Sequence, residues 1–350
     1  MSRIVLVLGP STGGIGKHVS GLAARASHVG HEVWVAGPRA TLSLFGLDDA
    51  HWGHIDLSAK RGLGELRRLI EQSNLVHAHG LRAATQAGIA SPWRTPMLAT
   101  WHNQRRSGEP KSVLDRVTER YVARRADLNL CVSVDLVDTV VGHKGRARLS
   151  PLGPATLASP TRSRARTRAL MNVPHGSKLV LSVSRLAEQK GLDVLIEAAS
   201  GLPFDAVLAI AGTGPLEAQL REQASSANVK VRWLGQRSDL ADLYIAADVL
   251  AMPSRWEGSP FALHEAFQAG CPVVASAVGG IPKLVGTAAS LVPPDDHLAL
   301  RRALTDVLMN GELAALLAEG GVLALRLWPD EAAACDAVLE TYDAFLRQTS

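Results

Sequence analysis

Short apolar runs rich in β-branched residues recur along the chain, separated by stretches of helical length. Residues 4–8, 32–36, 75–79, 97–101, 128–132 and 146–150 form a first series, and 179–184, 206–211, 229–234, 249–253, 273–275 and 289–292 a second. Runs apolar on both alternations, joined by helices instead of two-residue turns, predict parallel sheets covered on both faces. The rhythm breaks across residues 151–168, which hold three prolines, several Ser and Thr, and arginines at 162, 164, 166 and 168. The expected organisation is therefore α/β, with two doubly wound, Rossmann-like domains at 1–160 and 171–328 and a linker at 161–170. Beyond them Ala332, Cys335, Val338, Leu339, Tyr342 and Leu346 make one helical stripe, so 329–350 reads as a last helix able to cross back to the first domain.

Composition agrees with two cores. The chain has 350 residues, 47% of them apolar, against about 150 residues for an average domain, so neither disorder nor a disulfide-stapled mini-protein fits. The first run ends at Gly9-Pro10 after five residues, far short of the roughly 18 needed to span a membrane, and reads as a strand. Cys131, Cys271 and Cys335 have no metal-site spacing and fit a reducing cytoplasm. Charge is uneven: residues 1–160 carry 20 basic and 12 acidic side chains, residues 161–350 carry 17 and 21. A basic half attracts a polyanion, whether nucleic acid, anionic lipid or a phosphorylated substrate. The stretch 111–125 is expected to be an amphipathic helix, with Val113, Leu114, Val117, Tyr121 and Val122 on one side and Arg116, Arg120 and Arg124 on another. With Arg105, Arg106 and the arginines of 162–168 it suits an anionic membrane surface.

The candidate chemistry lies where predicted strands end. Gly13-Gly14-Ile15-Gly16-Lys17-His18 opens a helix after the first strand, an arrangement that favours anions. It is no Walker A loop, because Ser11 and His18 stand where Gly and Ser/Thr belong, and the dinucleotide fingerprint fails at Val19. His102 ends the fourth run, with His77 and His79 as rivals at the end of the third. Arg185 and Lys190 flank a turn before a helix and can hold a diphosphate, and Gly212-Thr213-Gly214-Pro215 supplies a second glycine turn. The richest stretch is Glu257-Gly258-Ser259-Pro260-Phe261-Ala262 followed by Glu265. Here Ser259 is the expected N-cap and Pro260 the first helical residue, giving a phosphate-ready helix start between two carboxylates.

Together these residues resemble the retaining glycosyltransferases of family 4, which have the GT-B fold of two facing Rossmann-like domains. The resemblance rests on Gly13 to Gly16, His79 and His102, Ala126-Asp127 before Ser133, Ser184-Arg185-Leu186 with Lys190-Gly191, and Gly212-x-Gly214-Pro215. It continues through Gly235 before Tyr244, Pro253-Ser254 with Glu257-x7-Glu265, and Val278-Gly279-Gly280-Ile281-Pro282. Departures are Ser184 for a usual Gly, Lys283 for a usual Glu, and His264 for a usual apolar residue.

The resemblance implies a hexosyl transfer from a nucleoside-diphosphate sugar, UDP- or GDP-linked, to a hydroxyl of a carbohydrate or lipid-linked acceptor, with retention of configuration. By the same analogy Arg185 and Lys190 neutralise the diphosphate, Glu265 binds the ribose, and Glu257 with the amides of Gly258 to Ala262 holds sugar and phosphate. Gly212 and Gly214 line the donor site, His102 approaches the sugar, and Gly14 and Gly16 admit donor phosphate and acceptor. Neither cofactor nor metal is expected, since no paired carboxylates of the DxD kind end a strand, and nucleic acid is not an expected partner. A silent nucleotide-sugar binding protein, or an epimerase or phosphorylase of the same fold, is the alternative. The expected location is the cytoplasm, with the inner membrane face as a peripheral site.

Overall fold

The computed structural model describes the chain except residues 12, 49–52, 60, 103–111 and 350, so Arg105, Arg106 and Lys111 lie outside the described residues. The chain divides into two compact units, Met1–Gly153 with Pro329–Ser350, and Pro154–Trp328.

The first unit is built on a parallel sheet of strands β1 (Arg3–Leu8), β2 (Glu32–Gly37), β3 (Gly53–Asp56), β4 (Leu75–His79), β5 (Met97–Trp101), β6 (Leu128–Cys131) and β7 (Ala147–Leu149). Their spatial order is β3-β2-β1-β4-β5-β6-β7. Strands β1, β4 and β5 lie inside the sheet and are buried almost throughout, which is why they read as unbroken apolar runs. Strand β3 was not expected. It pairs only with β2 and its sequence Gly-His-Ile-Asp buries one residue, so an edge position leaves almost no apolar pattern to read. Helix Glu331–Thr349 belongs to this unit. Cys335, Val338, Leu339 and Tyr342 join Leu6, Leu22 and Val35 in one core cluster, and Arg25 clasps Asp336 through two bonds of 2.7 and 2.9 Å.

The second unit has strands β8 (Lys178–Val183), β9 (Ala206–Ala211), β10 (Val231–Gly235), β11 (Val249–Met252), β12 (Val273–Ser276) and β13 (Ser290–Val292). All pair in parallel, in the order β10-β9-β8-β11-β12-β13. Alternate residues feed opposite faces: Leu179, Leu181, Leu250 and Val273 enter one apolar cluster, and Val180, Val249, Ala251 and Val274 the other.

The expected linker at 161–170 is a structured part of this second unit. Thr161 and Arg162 donate backbone N–H groups to Asp242 at 2.7 and 2.9 Å, and Arg164–Leu170 is a helix with Ser163 as its N-cap. Arg164 and Arg168 bond Asp248 and the last carbonyls of helix Leu240–Ala246, while Arg162 pairs with Asp239 at 2.6 Å. Three of the four alternating arginines therefore neutralise helix-end carbonyls and carboxylates and do not form a free basic arm.

Candidate active site

In the second unit the expected residues gather at the carboxyl ends of β8 and β11, which are neighbours in the sheet. The sheet order brings this about: β8 lies between β9 and β11, so the order reverses there and the loops leaving β8 and β11 meet at the switch point. After β11 the chain runs through Pro253 and Ser254 to Glu257, whose side chain is buried. Glu257 Oε1 accepts from Lys190 Nζ at 2.6 Å and from Ser254 Oγ at 2.7 Å. The two loops are knitted together: Arg255 N donates to Gln189 O at 2.8 Å, Gln189 Nε2 donates to Trp256 O at 2.9 Å, and Arg255 also grips Asp193. Arg185 is exposed; its carbonyl accepts from Ala187 N at 2.8 Å, while its guanidinium makes no hydrogen bond or ion pair among the described residues. One cation is thus held against a carboxylate and a second stands open beside it.

The glycines build the walls. Gly279 has φ of +52°, and a Cβ there would lie 1.8 Å from Glu257 O, while Gly280 N donates to that same oxygen at 2.9 Å. The Gly-Gly turn after β12 therefore fixes the backbone of Glu257. Gly212 closes on Ser184 O in the same way, with room for no side chain, and Gly214 packs on Leu186 O.

The N-cap of helix Phe261–Gln268 is Pro260, not Ser259. No side chain caps it, and Ser259 Oγ lies 3.5 Å from His264 Nε2. The expected N-cap is one residue off because Pro260 itself takes the extended conformation that precedes a helix. Pro260 offers the first-turn amides no side-chain acceptor, which keeps the helix start suited to an anion. Glu265, on the buried face, accepts from Tyr244 Oη at 2.9 Å. Burial, with the Glu265 carboxylate beside it, pushes the Tyr244 hydroxyl well above its usual range, so it stays a donor. Ser254 and Tyr244 as supports of the two carboxylates were legible only as family motif positions. Nothing in their local spacing points to Glu257 or Glu265.

In the first unit, helix Gly14–His28 follows β1 as expected. Ser11 Oγ accepts from Gly16 N at 3.2 Å, and a Cβ on Gly16 would strike the Phe45 ring at 2.0 Å. Gly16 is thus required by packing against Phe45. His79 and His102 end β4 and follow β5, with His79 Nδ1 3.2 Å from His102 Nε2. His77 is occupied on both ring nitrogens, by Tyr342 Oη and Thr100 Oγ1 at 2.6 Å each, and is a core residue.

The profile described as Glycosyl transferases group 1 matches residues 163–321, and the one described as Glycosyltransferase Family 4 matches residues 12–151. A D-inositol 3-phosphate glycosyltransferase of Xylanimonas cellulosilytica is 32% identical over 300 residues, covering 77% of this chain and 71% of that one. The chain belongs to glycosyltransferase family 4. A second relative, the 2-deoxystreptamine N-acetyl-D-glucosaminyltransferase of Streptomyces fradiae, is 33% identical over 270 residues, 68% of this chain and 62% of its own length. The fold of this family 4 member is GT-B. It matches the Anabaena protein HepE, solved with UDP-glucose, at a TM-score of 0.86 and 21% identity, covering 98% of this chain and all of that one. Sucrose-phosphate synthase of Thermosynechococcus elongatus matches at 0.81 and 23% identity, covering 99% of this chain. Of the departures from the family pattern, Lys283 is exposed, while His264 packs its ring 4.1 Å from that of Trp328 inside the second unit.

Proposed function

We propose that this family 4 glycosyltransferase moves a hexosyl group from a UDP- or GDP-linked sugar to a hydroxyl of a carbohydrate or lipid-linked acceptor, with retention of configuration and without a metal. The observation that carries the reading is the Lys190–Glu257 pair beside the open Arg185 at the ends of adjacent strands. A departing diphosphate needs fixed positive charge where its own charge grows, and preorganised donors of this kind each contribute roughly 3 kcal/mol at the transition state. Arg185 and Lys190 supply that charge, and the helix start at Phe261–Gln268 adds uncapped amides. Glu257, held by Ser254 and Lys190, accepts from sugar hydroxyls, and Glu265, held by Tyr244, accepts from the ribose. His102 is assigned to the sugar, and Gly14, Gly212 and Gly214 to the backbone walls. A phosphate oxygen of the leaving group takes the acceptor's proton on the same face, so no protein nucleophile is assigned. The solved complex of HepE with UDP-glucose supports a UDP-sugar as the first donor to try. The relatives named above act on ring polyols by their names, which supports a carbohydrate-like acceptor.

The test is release of free nucleoside diphosphate from a panel of UDP-, GDP- and ADP-sugars in EDTA, with pooled sugar and lipid acceptors. Selective release, lost in Glu257→Ala, is the expected result. Binding without release under every acceptor condition would point to a silent nucleotide-sugar binding protein, and dependence on added divalent metal would overturn the metal-free mechanism.

We also infer peripheral contact with an anionic membrane on the cytoplasmic side. Helix Val113–Arg125 turns Val113, Leu114, Val117 and Tyr121 to solvent together with Arg116, Arg120 and Arg124, while its acidic Glu119 is buried. Trp93, 83% exposed, lies against Arg125 at 4.6 Å in the same unit. Co-sedimentation with vesicles containing phosphatidylglycerol, but not with phosphatidylcholine alone, and its loss in Leu114→Glu/Arg120→Glu, is expected. Equal recovery with both lipids would remove this reading.

A further inference from the structure

Among the four clustered histidines of the first unit, two form a hydrogen-bonded pair whose outer nitrogens are left over. His18, His77, His79 and His102 are all buried, at 3%, 0%, 2% and 4% exposure. His77 spends both nitrogens on Tyr342 and Thr100, and His18 stands with its ring centroid 5.5 Å from His79 and 5.9 Å from His102 without bonding either. His79 Nδ1 and His102 Nε2 bond at 3.2 Å, with the ring planes 29° apart and the centroids 5.5 Å apart. His79 Nε2 and His102 Nδ1 are buried and have no partner among the described residues.

The bond admits two arrangements of neutral rings. Either both carry their proton on Nδ1, and His79 donates, or both carry it on Nε2, and His102 donates. The Nε2–H form is the intrinsically preferred one for a neutral histidine, and the second arrangement uses it twice. Burial and the neighbouring rings hold both histidines well below their usual range, so the neutral forms are the ones to consider. The bond a ring makes on one nitrogen fixes which proton the other carries.

We propose that His79 is a positioning residue for His102, locking it as the Nε2–H tautomer so that the bare Nδ1 of His102 accepts a hydrogen from a hydroxyl of the transferred sugar. Only the last clause rests on the glycosyl-transfer reading. The lock itself is a property of the first unit. It gives His102 one defined hydrogen-bonding character at a site where a free ring offers either a donor or an acceptor. A sugar lacking that hydroxyl leaves a buried acceptor unpaired and is discriminated against accordingly.

The tautomers are read directly by long-range proton–nitrogen correlation spectra of the full chain labelled with 15N-histidine at neutral pH. Both His79 and His102 are expected as Nε2–H, with His102 turning to a mixture of tautomers in His79→Leu. In His79→Asn the amide oxygen replaces the Nδ1 acceptor, and the Nε2–H state of His102 is expected to return. An Nδ1–H His102 in the unaltered protein, or a His102 signal unchanged in His79→Leu, overturns the lock. In turnover, His79→Leu is expected to lose about tenfold in kcat with donor KM within about twofold, and His79→Asn to recover most of it. A loss confined to KM, or no rescue by Asn in a folded variant, overturns the positioning role. An Nε2–H His102 in a protein that turns over no nucleotide sugar would instead sink the glycosyl-transfer reading and leave the lock standing.

Discussion

Glu257 Oε1 accepts two hydrogen bonds, one charged and one neutral, and the side chain is buried, so its orientation is set before any ligand arrives. Glu257→Gln keeps the volume and removes the charge. Turnover is expected to fall at least about a hundredfold, while stability changes by about 1 kcal/mol, because Lys190 retains partial access to water. Comparing nucleoside diphosphate release with urea denaturation of the same variant separates the two. Tyr244→Phe removes one buried O–H from the Glu265 carboxylate, and about 1–3 kcal/mol of stability is expected to go with it, together with a raised donor KM. An unchanged urea midpoint and KM would refute the support assigned to Tyr244. At this scale the residue types were legible, since Glu257, Glu265, Arg185 and Lys190 sit in recognisable order. Their partners were not, because Ser254 and Tyr244 reach the carboxylates through side-chain directions that spacing does not encode.

Loops set by glycine carry the site at the scale of elements. Gly279→Ala places a methyl group into Glu257 O in a backbone conformation that L residues rarely adopt. A loss of at least about 2 kcal/mol is expected, and activity should fall with it even though the substitution is outside the carboxylates. Thermal unfolding and turnover of that variant, with Gly64→Ala on open space as a control, test the claim. The central strands were readable because burial on both faces forces uninterrupted apolar runs. Strand β3, at the edge, carries no such demand, and helix Arg164–Leu170 was obscured by an arginine pattern that looks like a solvated tether until Asp239, Asp242 and Asp248 are placed against it. The cap at Pro260 slipped by one residue because Ser and Pro side by side both suit a helix entry.

Across the whole molecule, buried neutral histidines give stability a pH slope. Burial lowers His18 to about 4, and burial with its neighbour lowers His77 and, in the second unit, burial alone lowers His264, each to about 3. Unfolded histidine binds its proton near 6.5, so below that value the unfolded chain holds more protons than the native one. Stability contributed by these groups is intact above about pH 6.5 and falls as the pH drops toward 3 to 4, by up to about 1.4 kcal/mol per pH unit for each ring. Urea midpoints at pH 7, 6 and 5 should decrease in that order, and less so in His18→Phe. A flat profile would contradict neutral burial. The helix Glu331–Thr349 belongs to the same scale: its apolar stripe was visible, but its seat on the first unit's core was not. The sequence by itself determined two parallel α/β sheets and the order of the donor-site motifs, because period and chain order act locally and are written in neighbouring residues. The tertiary structure decided which side chains hold the carboxylates, which arginines are already neutralised, and which histidine bonds which. Those outcomes depend on distances between residues far apart in the chain, and packing alone fixes them.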